Sequence, residues 1–275
     1  MKPSQPSRSP RSKRERLDAA LVQQGLATSR EQAQRLILAG SVRLNGQITD
    51  KPGRKIQPDD QLEVTTPPRY VSRGGSKLEH ALQTFQLDVS ETIAMDVGAS
   101  TGGFTDCLLQ HGAKLVYAVD VGKGQLAWKL RQDPRVIVME GVNARYLTPG
   151  NFPPNHPTPS LAVADCSFIS LRKILPTTIE LLTPSAMIVA LVKPQFEAGR
   201  EEVARGGGVI TDPLIHERVL QELAEFVNGL PNCQWQKVTP SPLRGPAGNT
   251  EFLALIEKTS PQANTHRPDR EHGQA

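Results

Sequence analysis

Five short apolar runs, Ile93 to Val97, Leu115 to Val119, Val136 to Met139, Leu161 to Ala164 and Met187 to Val192, recur through the second half of the chain with helix-compatible stretches between them. Runs of this length without polar alternation are what strands look like when both of their faces are covered. Strand and helix in alternation predict an α/β domain on a doubly wound, mostly parallel sheet. Two later runs, Gln234 to Val238 and Phe252 to Ile256, flank a Pro- and Gly-rich segment and bring the expected sheet to seven strands. A chain of 275 residues has room for this domain and one smaller one.

The first part of the sequence is different in kind. From Arg16, Leu17, Ala20, Leu21 and Leu26 share one helical face, with Gly25 closing the helix. Ser29 followed by Gln32 fits a capping box, and a second helix is expected through Ala33, Leu36 and Ile37 to Gly40. Val42 and Leu44 then alternate with polar neighbours, Asn45-Gly46 signals a tight turn before Ile48, and Leu62-Glu63-Val64 reads as a closing strand. The expected divisions are a disordered basic arm over 1–14, a small α+β domain over 15–66, and a linker with a leading helix carrying Lys77 over 67–90. The α/β domain follows over 91–258 and a polar, disordered tail over 259–275.

Charge and cysteine usage exclude several classes. Residues 1–14 hold Lys2, Arg8, Arg11, Lys13 and Arg14 and no acid, and no apolar core of a secretory signal follows them. The longest apolar run, Ala186 to Val192, falls far short of the ~20 residues that span a bilayer, so no membrane helix is expected. Cys107, Cys166 and Cys233 are scattered and form no CxxC pair, which suggests neither a disulfide framework nor a metal site. The expected compartment is the reducing cytoplasm. Lys and Arg outnumber Asp and Glu by 32 to 28, a balance that permits a polyanionic partner without requiring one.

In the small domain, Arg16, Arg30, Arg35 and Arg43 can form one basic face against phosphates, or simply a solvated surface. The wording Arg16-Leu17-Asp18, Thr28-Ser29-Arg30, Ala33, Leu38, Gly40, Val42 and Asn45-Gly46 resembles the S4 RNA-binding module over residues 15–65. That resemblance implies docking on structured RNA, with those arginines and the Asn45 hairpin as contacts.

Asp96-Val97-Gly98-Ala99-Ser100-Thr101-Gly102-Gly103-Phe104 follows the first long strand and opens a helix. Glycines there let a ligand approach the backbone at the edge of an open α/β sheet. The spacing is neither GxGxxG nor a P-loop ending in GK[ST], which disfavours a nucleoside triphosphate. Asp120 ends the second strand, where a carboxylate can accept from ribose hydroxyls, and Asn143 after the third can reach a base or serve as a turn former. The arrangement resembles the S-adenosyl-L-methionine loop of Rossmann-like class I methyltransferases. On that resemblance Asp96, Gly98, Ser100, Gly102, Gly103, Phe104, Asp120 and Asn143 bind the cofactor.

Methyl transfer from a sulfonium is a direct displacement, so the nucleophile decides which side chains are needed. Asp165-Cys166-Ser167-Phe168 stands where amine-directed enzymes of this fold carry Asn-Pro-Pro-Tyr. A ribose hydroxyl instead calls for a base, and Lys193, between the strand Met187 to Val192 and Pro194, is placed at the mouth of the expected cleft. Lys77, Asp165, Lys193 and Glu251 match, in order, the Lys-Asp-Lys-Glu tetrad of ribose 2′-O-methyltransferases. The resemblance implies Lys193 as base, Asp165 and Glu251 as positioning carboxylates and Lys77 as a second cation; the letters do not say which lysine carries the proton.

The series Ser72-Arg73-Gly74-Gly75-Ser76-Lys77, Asp96 to Phe104, Asp165 to Leu171, Val192 to Glu197 and Gly248 to Phe252 resembles the TlyA family over residues 15–258, an S4 module joined to an FtsJ-like methyltransferase domain. The resemblance implies methylation of cytidine 2′-hydroxyls in ribosomal RNA, with ribosomal RNA or subunits as partner, although some members have been labelled hemolysins. Departures are Cys166, where Val is common, Ile210-Thr211, and the basic arm. Direct membrane lysis would want a secretory signal and an inserting stretch, an inactive RNA-binding protein would not need the tetrad, and an S4-linked pseudouridine synthase would lack the 96–104 loop. Residues 196–212 are expected to be a lid or a surface loop, and Arg172, Lys173 and Arg205 are candidate phosphate contacts.

Overall fold

The computed structural model describes residues 14–38, 40–65, 69–245 and 247–260. The basic arm before Arg14, Pro67-Pro68 and nearly all of the polar tail lie outside the described residues. The chain forms two compact units, 1–68 and 69–275.

In the smaller unit β1 (Glu15–Arg16) leads into α1 (Leu17–Gln23), followed by α2 (Arg30–Leu38), β2 (Val42–Leu44), β3 (Gln47–Ile48), β4 (Lys55–Ile56) and β5 (Leu62–Val64). The core is Leu17 and Leu21 of α1 against Ala33 and Ile37 of α2, closed below by Val42 and Ile56. The i, i+4 spacing on each helix puts these side chains on facing stripes. Gly25 at φ +71° turns the chain out of α1. Ser29 Oγ caps α2 by accepting from Gln32 N at 3.2 Å, but Gln32 Oε1 returns to Thr28 N at 2.6 Å, one residue earlier than a capping box expects. Asn45 and Gly46 both take positive φ in a two-residue turn that sets Leu44 opposite Gln47. The β1–β4 pair was not legible: two-residue strands carry no periodicity.

The larger unit runs α3 (Gly74–Phe85), β6 (Ile93–Val97), α4 (Gly103–Gln110), β7 (Leu115–Asp120), α5 (Trp128–Arg131), β8 (Val136–Glu140) and β9 (Leu161–Ala164). It continues with α6 (Leu175–Glu180), β10 (Ala186–Val192), α7 (Pro194–Glu197), α8 (Arg200–Arg205), α9 (Pro213–Asn228), β11 (Cys233–Pro240) and β12 (Phe252–Lys258). Strand order is β11-β12-β10-β9-β6-β7-β8. Strands β6 to β10 are parallel, and β12 enters antiparallel between β10 and β11.

Side chains alternate between two covered faces. Ala94, Val116, Ala118, Leu161, Val163, Val189 and Leu191 join one core with α3 and α4. Met95, Val97, Tyr117, Val119, Ala162, Ile188 and Val192 join the other with α6 and α9. With both faces buried, the strands lose polar alternation, which is why they read as continuous apolar runs. Helix α3, the expected leading helix, buries Leu78, Ala81, Leu82 and Phe85 in the first of these cores, so Lys77 rides on a helix of the larger unit.

Candidate active site

Strand register brings Asp165, Lys193 and Glu251 to one end of the sheet, and α3 brings Lys77 to the same place. Ala164 and Ala190 are partners across β9 and β10, so Asp165 and Lys193, just beyond them, leave adjacent strand ends. Val192 pairs with Phe252, which sets Lys193 beside Glu251. Lys193 Nζ lies 2.6 Å from Asp165 Oδ1 and donates to Ser167 Oγ at 2.9 Å. Lys77 Nζ donates to Glu251 Oε2 at 2.5 Å, closing a buried pair. All four line one cleft of about 300 Å³ with Gly98, Ser100 and Phe104. Charge-assisted bonds of this kind fix where each ammonium points.

The glycine loop forms the cleft's other wall. Gly98, at φ +85°, donates its N–H to Val119 O at 2.8 Å, and Ser100 N donates to Asp120 Oδ2 at 2.8 Å. Gly103 sits where the start of α4 meets the start of α3: an added Cβ would come 2.9 Å from Gly75 N. Gly102 lines neither this cleft nor its neighbour; at φ +95° it lies beneath Leu126 and Leu130, so its requirement is conformational. Phe104 contributes an edge to the cleft and buries the rest of its ring in the core.

Asp96 is fully buried. Its Oδ2 accepts from Thr105 N at 2.9 Å and Thr105 Oγ1 at 2.6 Å, while Oδ1 has no hydrogen-bond partner among the described residues. Burial pushes this carboxyl up to about 7, against the pull of the Thr105 hydroxyl. A buried acceptor without a donor is costly, and this one borders the cleft, where a cationic ammonium would satisfy it.

A second cleft of about 460 Å³ continues from the first through Gly98, Ser100, Asp165 and Ser167 and is walled by Asp120, Val121, Val142 and Asn143. Asp120 Oδ1 is already engaged by Gly122 N at 2.6 Å. Asn143 serves as the turn former considered for it, its Oδ1 capping the turn Ala144–Tyr146 through Arg145 N at 3.1 Å, and it also lines the cleft. The Cys166 thiol, pushed up to about 12 by burial, donates to Val97 O at 3.4 Å.

A third cleft, about 610 Å³, adjoins at Phe168. Phe168 is held at φ +64° with 90% of its surface exposed, its ring 5.3 Å from that of Phe196. Arg145, Lys173 and Arg200 line this cleft. Arg172 points elsewhere, to Glu222 and over Phe226, and Arg205 leans on its own helix at Glu201 O. Within residues 196–212, α7 and α8 give the cleft a structured wall, and the glycine-rich stretch after α8 is a turn.

In the smaller unit the arginines are organised by Asp18, whose role was not foreseen. Its buried carboxylate takes Arg16 Nε at 3.0 Å and Nη2 at 2.8 Å, Arg30 Nη2 at 3.2 Å and Gln34 Nε2 at 3.0 Å. These donors hold the Asp18 carboxyl far below the usual range, the Arg16 bond foremost. Arg35 is exposed on α2, and Arg43 Nη1 donates to Gly46 O at 2.8 Å. Asn45 is occupied internally: Nδ2 donates to Asp60 Oδ1 and Oδ1 accepts from Gln61 N, each at 2.8 Å, pinning the hairpin to the 60–61 turn.

The sheet order, the glycine loop and the donor set at its mouth define a Rossmann-like, S-adenosylmethionine-dependent methyltransferase. Residues 70–258 match the FtsJ-like methyltransferase family and residues 15–62 the S4 domain. The protein YqxC of Bacillus subtilis (strain 168) is 53% identical over 243 residues, covering 88% of this chain and 85% of its own. A 16S/23S rRNA (cytidine-2′-O)-methyltransferase TlyA of Mycobacterium tuberculosis is 45% identical over 255 residues, covering 91% of this chain and 92% of its own. A solved hemolysin-named protein of Streptococcus thermophilus is 50% identical with a TM-score of 0.68, covering 93% of this chain and 92% of its own. The chain belongs to the FtsJ-like methyltransferases that carry an S4 domain, the TlyA family, and binds RNA through that domain.

The orphaned Asp96 oxygen gives a test of the cofactor's seat. A bound ammonium favours the carboxylate, so cofactor binding near neutral pH releases a proton and strengthens as pH rises through about 7. The free fold has the opposite sign: with its pKa raised, Asp96 favours the folded state below the ordinary carboxylate range and loses that contribution as pH rises through about 7. Calorimetry with S-adenosylhomocysteine between pH 6 and 8 is expected to show this gain in affinity, and Asp96→Asn is expected to bind more weakly with a flat profile. A wild-type affinity independent of pH would place the ammonium elsewhere.

Proposed function

We propose that the protein transfers a methyl group to the 2′-hydroxyl of a cytidine in ribosomal RNA, acting in the cytoplasm on ribosomal RNA or ribosomal subunits. The observation that carries this is the convergence of Lys77, Asp165, Lys193 and Glu251 in one cleft beside the cofactor loop.

The cofactor supplies an electrophilic methyl on a sulfonium, which leaves as a neutral thioether. Lys193, in its amine form, takes the hydroxyl proton as the new O–C bond forms, and Asp165 and Ser167 hold the resulting ammonium in place. Lys77 stays paired with Glu251, so a second positive charge faces the oxygen as it becomes anionic. The Phe168 ring offers a face on which an unstacked acceptor base can lie, and Arg145, Lys173 and Arg200 offer charge to the flanking phosphates. In the smaller unit Arg16 and Arg30, aligned on Asp18, and exposed Arg35 are the RNA contacts; Asn45 shapes the hairpin that presents Arg43.

A membrane-lytic reading draws on the name hemolysin A given to a Brachyspira hyodysenteriae relative, 44% identical over 241 residues. No helix among the described residues is long and apolar enough to cross a membrane, and the paired lysines have no use in that role. The test is transfer of labelled methyl from S-adenosylmethionine to unmethylated ribosomal subunits and to naked ribosomal RNA. Label recovered in an alkali-resistant dinucleotide is expected. Tight cofactor binding without transfer to either substrate would overturn the rRNA assignment.

A further inference from the structure

The segment from Pro194 to Asp212 starts immediately after Lys193 and ends against the loop that delivers Glu251. Between these ends it forms α7, α8 and a turn through Gly206, Gly207 and Gly208, the last two at positive φ. The fastening is Asn249, only 2% exposed. Its Oδ1 accepts from Ile210 N at 2.9 Å and its Nδ2 donates to Gly208 O at 3.0 Å, so one carboxamide satisfies both sides of the turn. Ile210 is itself buried, and its carbonyl lies 3.0 Å from His216 Nε2, whose ring meets Phe252 edge-on at 5.4 Å. The carbonyl requires Nε2 to be the protonated nitrogen.

The Glu251 side of the fastening is equally tight. Gly245 N donates to Asn249 O at 2.9 Å and Ser241 N to Glu251 O at 2.8 Å, closing the loop on itself. Glu251 Oε1 lies so near Gly245 that a Cβ there would sit 2.6 Å away. The carboxylate is therefore confined by the loop's shape, and Asn249 ties that loop to the 206–210 turn.

We propose that Asn249 is a positioning residue for methyl transfer: its carboxamide latches the 206–210 turn to the Glu251 loop and so fixes the Glu251 carboxylate against Lys77. Because Arg200, Val203, Ala204 and Gly208 also wall the cleft beside Phe168, the latch joins the acceptor-side wall to one of the two lysine–carboxylate pairs. Removing the carboxamide leaves the buried Ile210 N–H and the half-buried Gly208 carbonyl without their partner, and the turn must move to rehydrate the N–H. The proposal uses the ribose-methylation reading for its rate assay only.

The experiment compares Asn249→Ala, Glu251→Gln and the double variant. The measurements are turnover on ribosomal subunits, S-adenosylhomocysteine affinity, and amide exchange at Gly208, Ile210, Gly245, Gly248 and Glu251. Asn249→Ala is expected to lower kcat roughly 10- to 100-fold, the range a small misplacement of reacting groups produces, with cofactor affinity within about twofold. The double variant is expected to be no slower than Glu251→Gln alone, because both act through one carboxylate. Exchange is expected to quicken on both sides of the latch. Multiplying effects in the double variant, or a kcat loss matched by an equal loss of cofactor affinity, would overturn the proposal. Should Asn249→Ala fail to fold, His216→Phe keeps an aromatic ring on Phe252 while dropping the bond to Ile210, and is expected to show the same pattern more weakly. Should the wild type methylate no ribosomal substrate, the reading of the reaction is at fault; the latch then stands or falls on exchange, and unchanged protection at Gly245, Gly248 and Glu251 sinks it.

Discussion

Lys193→Ala is expected to slow methyl transfer by about a thousandfold, within the range general-base removal produces, while S-adenosylhomocysteine binds within about twofold of wild type. The reason for the separation is geometric. Lys193 shares a cleft with the cofactor loop but makes no hydrogen bond to it among the described residues, and its Nζ is held at 2.6 Å from Asp165 and 2.9 Å from Ser167. Lys193→Arg is not expected to rescue, since a guanidinium stays protonated and cannot take the hydroxyl proton. Single-turnover transfer with saturating cofactor is the measurement. A rate within tenfold of wild type would move the base to Lys77 or to water.

Gly98→Val is expected to weaken cofactor binding by about a hundredfold or more. At φ +85° a β-branched residue is strained before any contact is counted. An added Cβ would also come 2.8 Å from Asp165 O and 3.1 Å from Cys166 Sγ, and the β9 end cannot retreat without carrying Asp165 away from Lys193. Both the cofactor loop and the tetrad should suffer together, which calorimetry and turnover measured on the same preparation will show. Gly98→Ala is expected to be milder but of the same sign. Unchanged affinity in the valine variant would mean that the loop adopts another course.

What was legible in the letters follows from what each residue depends on. All five long strands of the parallel sheet were found within one residue at each end, because burial on both faces writes an unbroken apolar run. The tetrad was read from a resemblance, the order Lys77, Asp165, Lys193, Glu251 matching that of ribose 2′-O-methyltransferases, and the fold gathers these four side chains in one cleft. Residues whose work is tertiary were not. Asp18 looks like any acid near a helix start until Arg16, Arg30 and Gln34 fold onto it, and Asn45, read as an RNA contact, spends its amide on Asp60 and Gln61. Ser167 was noticed as a letter of the motif after β9 and given no role of its own, yet it is the second acceptor on Lys193. Phe168 was quoted only as a letter of the same motif, since exposure of a ring cannot be read from its neighbours in sequence.

The position of β12 has a bearing on when this enzyme can begin to act. The strand that follows Glu251 comes last in chain order among the described strands, yet it lies between β10 and β11 rather than at the sheet's margin. Until it emerges from the ribosome, β10 has no neighbour on that side, Lys77 has no carboxylate, and the Asn249 latch does not exist. A growing chain can thus hold a complete S4 fold and meet RNA well before it has a working catalytic centre, so binding precedes chemistry in the life of each molecule.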